Sequence, residues 1–366
     1  MRFDSLGNIC TTVTDYVANG SFKALKENVS HKNAQDGYAI LIRLADYRNK
    51  FKGPFEYIDR HGYNFLSKTK LYGNEIIISN VGAHLGTVFR TPTLGTPMSL
   101  GPNAILLKTK YIDDYYYYFF TSKKGQALLK TIVSGSAQPK FNKTDLKKLI
   151  VPIPSLDEQN KISRKLLAID KKIQINEQIN ANLQELRHIL YKQLIAQSAL
   201  KTISIKELYS IKYGKTLPKS QLLRTGTKVF GAKGFMGYTE RKPLVNKATV
   251  TITSRGSGAG FVSYIDEEEA FLTNNLLYLI DKTGLGLSFT YELIKSSKPS
   301  QFVTGSAQPQ LTINNLKQLK LKIPTDRFII EQFKNNTKRI EDCMSNNKIE
   351  NNSLQKLRLA FLNYCF

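Results

Sequence analysis

A chain of 366 residues is longer than one ordinary core and suits two domains plus connecting elements. Hydrophobic residues at 41% and aromatics at 10% exclude wholesale disorder, and 53 Lys plus Arg against 29 Asp plus Glu give a formal charge of +24, so a polyanion, nucleic acid first, is the expected partner. No apolar run approaches the roughly 18 residues of a membrane span, and the opening MRFDSLGNIC lacks the apolar core of a signal peptide, so a cytoplasmic protein is expected.

In chain order, Ala39-Ile40-Leu41-Ile42 and Glu75-Ile76-Ile77-Ile78 read as strands, being runs of aliphatic residues bounded by Gly, Asn and Ser. The second run leads into the glycine-bearing loop Ser79 to Gly86. Tyr111 to Phe120 reads as a short aromatic helix, followed by a turn at 134–140 and the step Ile153-Pro154. From about 157 to 197 there is no proline, and apolar residues recur at alternating spacings of three and four, the mark of a helix with a coiled-coil seam. Gly214-Lys215-Thr216 imitates the end of a phosphate-binding loop, but Tyr209 stands where the earlier glycine is required, so no phosphate cradle is expected. Ala248 to Ile252 reads as another strand, entering a second glycine loop, Thr253 to Gly260. The run Glu267-Glu268-Glu269 reads as a solvated loop. Leu287 to Ile294 is a second short helix, before a turn at 304–310, the step Ile323-Pro324 and a second long helix from about 327 to 364.

The chain repeats itself once. Gly135-Ser136-Ala137-Gln138-Pro139 returns as Gly305-Ser306-Ala307-Gln308-Pro309, and Leu146, Leu149, Ile153 and Pro154 return as Leu316, Leu319, Ile323 and Pro324. The seams correspond as well. Ile162, Leu166, Ile169, Ile173, Asn176, Asn180, Leu183, Leu186 and Leu190 match Phe333, Thr337, Ile340, Met344, Asn347, Asn351, Leu354, Leu357 and Phe361. Asparagine at a seam costs stability and specifies register, so Asn176, Asn180, Asn347 and Asn351 are expected to fix how the helices pair. The reading is an α+β chain with an internal pseudo-two-fold repeat. It consists of mixed α/β domains over 1–155 and 200–324, and helices over 156–199 and 325–366 that form an antiparallel coiled coil.

Two such domains, each followed by a Gly-Ser-Ala-Gln turn (Gly135 and Gln138, Gly305 and Gln308), an Ile-Pro step, a Glu-Gln pair (Glu158-Gln159, Glu331-Gln332) and a long helix, resemble the specificity subunits of type I restriction-modification enzymes. The resemblance spans the whole chain. It extends to Val229-Phe230-Gly231-Ala232-Lys233-Gly234-Phe235-Met236-Gly237-Tyr238-Thr239 and to Ser254-Arg255-Gly256-Ser257, while the first domain departs more, with Asn80 set against Arg255. The resemblance implies a non-catalytic subunit that reads a two-part duplex DNA target, one half-site per domain. It also implies two modification subunits carrying the adenine-methylating chemistry, and restriction subunits that translocate and cut. S-adenosylmethionine, ATP and Mg would belong to those partners, with no cofactor on this chain.

The helices, each roughly 60 Å long at about 1.5 Å per residue, would then set the gap between half-sites. The loops around Asn80 to His84 and Arg255 to Ser257 are the first candidates for base contact, with Lys233 and Arg241 beside the aromatic segment next. No catalytic set appears: the Asn/Asp-Pro-Pro-aromatic loop of adenine methyltransferases is absent. His31, His61, His84 and His188 are scattered, and Cys10, Cys343 and Cys365 lack CxxC spacing, so no metal is expected. The competing reading is an RNA-binding or structural coiled-coil adaptor.

Overall fold

The computed structural model describes residues 2–366 and divides into two compact units, Met1–Ile173 with Asn352–Phe366, and Gln174–Asn351. Each unit is α+β and repeats one plan. The expected boundaries separate helices from domains, whereas compactness assigns the two halves of each long helix to different units. The cause is that each half helix sends its outer turns into the core of the nearer mixed domain, Ile162, Leu166 and Leu362 in the first and Leu190 and Phe333 in the second.

In the first unit, Arg2–Ser5 pairs with Ile150–Ile153. A four-stranded antiparallel sheet runs in the order Cys10–Asp15, Ala104–Thr109, Ile76–Ser79, Val88–Arg90. Ile76, Ile78, Ile105 and Leu107 face the helix Asp113–Thr121, whose Tyr115, Tyr116, Phe119 and Phe120 are buried. Aromatic residues are mediocre helix formers, so burial holds this segment helical. Asp113 supports its start by accepting from Thr109 N at 2.7 Å. The end of the chain completes this core. Leu362 is buried in it, and the Phe366 ring lies 5.2 Å from Tyr115 and 5.8 Å from Phe119.

The second unit repeats the sheet as Tyr209–Tyr213, Leu276–Asp281, Thr249–Thr253, Val262–Ile265, with Leu200–Ser204 paired to Lys320–Pro324. Phe289, Leu293 and Ile294 of the helix Leu287–Ser296 pack on it. Each unit also has a second sheet that contains a parallel pairing, Ala39–Ile42 with Met98–Leu100 in a five-stranded sheet, and Thr227–Gly231 with Phe271–Leu272 in a three-stranded one.

The long helices are Leu156–Gln197 and Arg327–Cys365. Within the second unit their segments run antiparallel. Asn176 donates to Asn351 Oδ1 at 2.9 Å and to Glu350 at 2.6 Å, while Asn347 donates to Asn180 Oδ1 at 2.8 Å. Further along, Tyr191 meets Phe333 edge to face at 6.1 Å. Two seam assignments are corrected. Leu186 and Leu357 are 44% and 54% exposed, and the following residues, Arg187 and Arg358, turn inward instead. Strict alternation of four and three continues from Leu183 and Leu354 to positions 187 and 358, so the helices keep the heptad and the seam reading left it by taking the leucine one residue early.

Each inward arginine meets a carboxylate. Arg187, 1% exposed, bonds Glu292 through Nε at 3.0 Å and lies over the rings of Tyr291 and Tyr264 at 4.6 and 5.3 Å; His188 holds the other Glu292 oxygen at 2.8 Å. In the first unit Arg358 bonds Asp170 at 2.6 Å, and Tyr118 donates to the same carboxylate at 2.8 Å. Burial works against the Arg358 charge, and Asp170 more than offsets it, raising the guanidinium pKa.

Among the described residues no helix is long and apolar enough to cross a membrane. Cys10 is buried, which pushes its thiol up to about 12, whereas Cys343 is exposed. In native protein at neutral pH, maleimide is expected to label Cys343 within minutes and Cys10 only after denaturation, because the thiolate is the reactive form. Mass mapping of the labelled peptides checks this, and rapid labelling of Cys10 would contradict its placement.

Candidate nucleic-acid interface

In each unit the glycine loop after the central strand docks, backbone to backbone, on the repeated turn. In the second unit Gly256 N donates to Pro309 O at 2.9 Å and Leu311 N to Ser254 O at 2.8 Å; in the first, Gly82 N donates to Pro139 O at 2.9 Å and Phe141 N to Asn80 O at 3.1 Å. The turns themselves close with Ser134 and Lys140, or Thr304 and Gln310, exchanging both backbone bonds. This explains the repeated glycine. Gly135 and Gly305 sit at φ +85° and +88°, and a Cβ there would lie 2.9 and 2.7 Å from the carbonyl oxygens of Gln138 and Gln308. Both the left-handed backbone and the contact exclude a side chain.

These bonds correct the alignment of the two loops. Asn80 N bonds Asn103 O as Ser254 N bonds Asn275 O, so Asn80 corresponds to Ser254, and Val81 stands where the second unit has Arg255. The sequence pairing of Asn80 with Arg255 was one residue off, and the loop glycines agree with the bonds, Gly82 and Gly86 matching Gly256 and Gly260. Asn80 is also half-buried beneath its loop. Its Nδ2 donates to Phe141 O at 3.1 Å, and its Oδ1 is buried without a partner. It borders a cavity of about 520 Å³ with Asp15, Tyr16, Asn103, Lys140 and Asn142.

What each surface presents follows from the exposed positions. Ala83, His84, Ser136, Ala137 and Gln138 are exposed in the first unit, and Arg255, Ser257, Ser306, Ala307 and Gln308 in the second. Lys233 is exposed at the tip of the hairpin Thr227–Gly231/Gly234–Thr239. Arg241 is exposed too, but its guanidinium bonds Thr216 O at 3.0 Å and Gln221 Oε1 at 2.8 Å, tying two loops together. The segment Gly214-Lys215-Thr216 is packed rather than cradle-like: a Cβ on Gly214 would lie 2.2 Å from Thr273 O.

The acidic run is only partly solvated, contrary to its sequence reading. Glu267 pairs with Lys228 at 2.6 Å and Lys348 at 2.9 Å. Partial burial raises its pKa, but the two lysines prevail and hold the carboxyl below its ordinary value. Glu268 and Glu269 are exposed. Among the described residues no three His, Cys, Asp or Glu side chains are grouped to hold a metal ion.

Sequence reasoning missed Arg187, which holds the first long helix to Glu292 of the second mixed domain, and Arg358, which joins the second long helix to Asp170 of the first. Their signals were equivalent placement in the two halves and the strict four-three spacing that reaches both. The paired surfaces offer backbone, amide, hydroxyl and cationic donors, suited to phosphates and base edges.

The chain matches the family described as type I restriction modification DNA specificity domain twice, over residues 15–185 and 198–358. The crystal structure of a type I restriction-modification S subunit from M. genitalium is similar over 100% of this chain and 96% of that one, at 17% identity and a TM-score of 0.60, a likeness in fold. The HsdS subunit from Thermoanaerobacter tengcongensis is similar over 100% of this chain and 96% of that one, at 15% identity and a TM-score of 0.33. No curated protein sequence matches.

Proposed function

The chain belongs to the type I restriction-modification DNA specificity family, and on that premise we propose how its two units divide the work of reading DNA. The protein is a non-catalytic specificity subunit with two DNA-recognition domains. The twin loop-and-turn surfaces carry the residue-level reading: each lies on one half-site, with backbone groups and lysines on phosphates and a few side chains on base edges. In the second unit Arg255 is the principal reader, with Ser257 and Lys233 beside it. In the first, His84 takes that part, with Asn80 fixing the loop from below, while in the second unit Arg241 ties together the neighbouring loops at Thr216 and Gln221. An RNA-binding or structural adaptor is not favoured, because the family match covers both halves of the chain.

The long helices set the gap between half-sites and receive two modification subunits. Ile175, Ile179, Leu186 and Ile189, all exposed, follow one another at spacings of four, seven and three along one helix, an unpartnered heptad stripe suited to a partner's helix. Restriction subunits join the same cytoplasmic complex. S-adenosylmethionine, ATP and Mg belong to those partners.

Single-molecule mapping of methylated adenines in cells expressing the chain with its modification subunit tests the reading. A split motif with a fixed gap supports it, and no new methylation despite association would sink it. Arg255→Ala is expected to cost about 1–3 kcal/mol of discrimination at one base pair of one half-site. Methylation rates on single-base variants of the target check this, and a uniform loss over all variants would make Arg255 a phosphate contact instead.

A further inference from the structure

The antiparallel strand beside Thr227–Gly231 has a counterpart in the first unit, where Tyr57–Ile58 pairs with Ala39–Ile42, but the two-residue turn that carries Lys233 does not. The matching parallel pairings make Ala39–Ile42 the equivalent of Thr227–Gly231. In the first unit that strand runs on into the helix Leu44–Arg48, whose Tyr47 stacks on the buried ring of Phe89 at 4.8 Å. In the second unit the chain instead doubles back through Ala232 and Lys233 and presents Phe235, 52% exposed.

That ring is exposed yet braced. Phe230 holds it at 5.8 Å and Tyr238 at 5.3 Å, both edge to face. A continuous run of bonds joins the hairpin to the reading loop: Thr273 N donates to Phe230 O, Ser254 Oγ to Asn274 O, and Ser254 N to Asn275 O, with Arg255 next in the chain. Lys215, Arg224, Lys233 and Lys242 are exposed on the hairpin and its flanking loops. Protein contact surfaces are depleted of charge at their centres, so this ring among cations fits a nucleic acid better than a protein. Side chains that kink a duplex combine these features: an apolar ring enters a base step while neighbouring cations hold the backbone.

We propose that Phe235 inserts at a base step of duplex DNA beside the second half-site and unstacks it. Deformation then contributes to selection at that half-site and not at the first. The proposal rests on the DNA-reading role above, and it makes the two halves of the target unequal in kind.

The test uses the complete chain assembled with its modification subunits, on a duplex carrying the target mapped by methylation. Thymine reactivity to permanganate is read along both half-sites, with affinity from fluorescence anisotropy of the labelled duplex. Wild type is expected to show one reactive step beside the second half-site, apart from the methylated adenines. Phe235→Ala should abolish that reactivity and weaken binding about ten-fold, the loss of one aromatic–base stack. Phe235→Tyr should keep both, and all variants should melt alike because the ring is half exposed. Wild-type binding with permanganate reactivity unchanged in Phe235→Ala overturns the wedge and leaves the DNA-reading role standing. Loss of modification subunits from Phe235→Ala in a pull-down also overturns it, making the hairpin a protein contact. No binding of the duplex by the wild-type complex overturns the DNA-reading role itself.

Discussion

Glu292→Leu is expected to destabilise the second unit by about 3–5 kcal/mol, because it leaves the Arg187 guanidinium buried with no carboxylate. For a unit of this size the melting transition should fall by roughly 10 °C. The sign reverses with the partner. Arg187→Met combined with Glu292→Leu removes both charges and should recover most of the loss, since a buried ion pair and a well-packed apolar pair differ little in net free energy. Urea unfolding of the two single variants and the double variant gives the coupling directly. A loss below about 1 kcal/mol for Glu292→Leu would mean that water reaches the guanidinium, contrary to its placement between Tyr264 and Tyr291.

Replacing residues 200–324 with the matching segment of another specificity subunit is expected to change one half-site of the methylated motif completely and leave the other half and the gap unaltered. The expectation follows from separate reading surfaces within separate cores. It carries a structural condition. The incoming segment must offer a carboxylate where Glu292 stands, or Arg187 is stranded as in the single variant. Methylome sequencing of cells expressing the exchanged chain decides, and simultaneous change in both half-sites would show that base reading is not confined to one domain.

Much of the architecture was legible because it is periodic or repeated. The long helices announced themselves by their three-and-four spacing and lack of proline, and the paired asparagines marked where they meet. The repeated turn located a feature of each surface because its glycine cannot be replaced. Of the five-stranded sheet of the first unit only its middle strand, Ala39–Ile42, was legible. The sheet is built partly from two-residue strands, His31–Lys32, Tyr57–Ile58 and Lys70–Leu71, too short for alternation to show. The inward arginines were hidden for a different reason: a charge on a helix ordinarily marks the solvent face, and only tertiary contact with Glu292 or Asp170 reverses that. The loop alignment failed by one residue although the loop glycines, Gly82 and Gly86 against Gly256 and Gly260, carry the correct correspondence that the backbone bonds display.

The first unit closes on residues from the far end of the chain, where Arg358, Leu362 and Phe366 seal a core begun at Leu6. During synthesis the first domain must therefore wait, its aromatic helix uncovered, until the ribosome has finished the second. A nonsense codon or a protease cut shortly before Arg358 would leave the second unit, Gln174–Asn351, intact in sequence while opening the first. Damage at the C-terminus would then be read out as an error in the half of the target assigned to the N-terminus, and a chain too short to finish its first core would be exposed to degradation before it could direct modification to half a site.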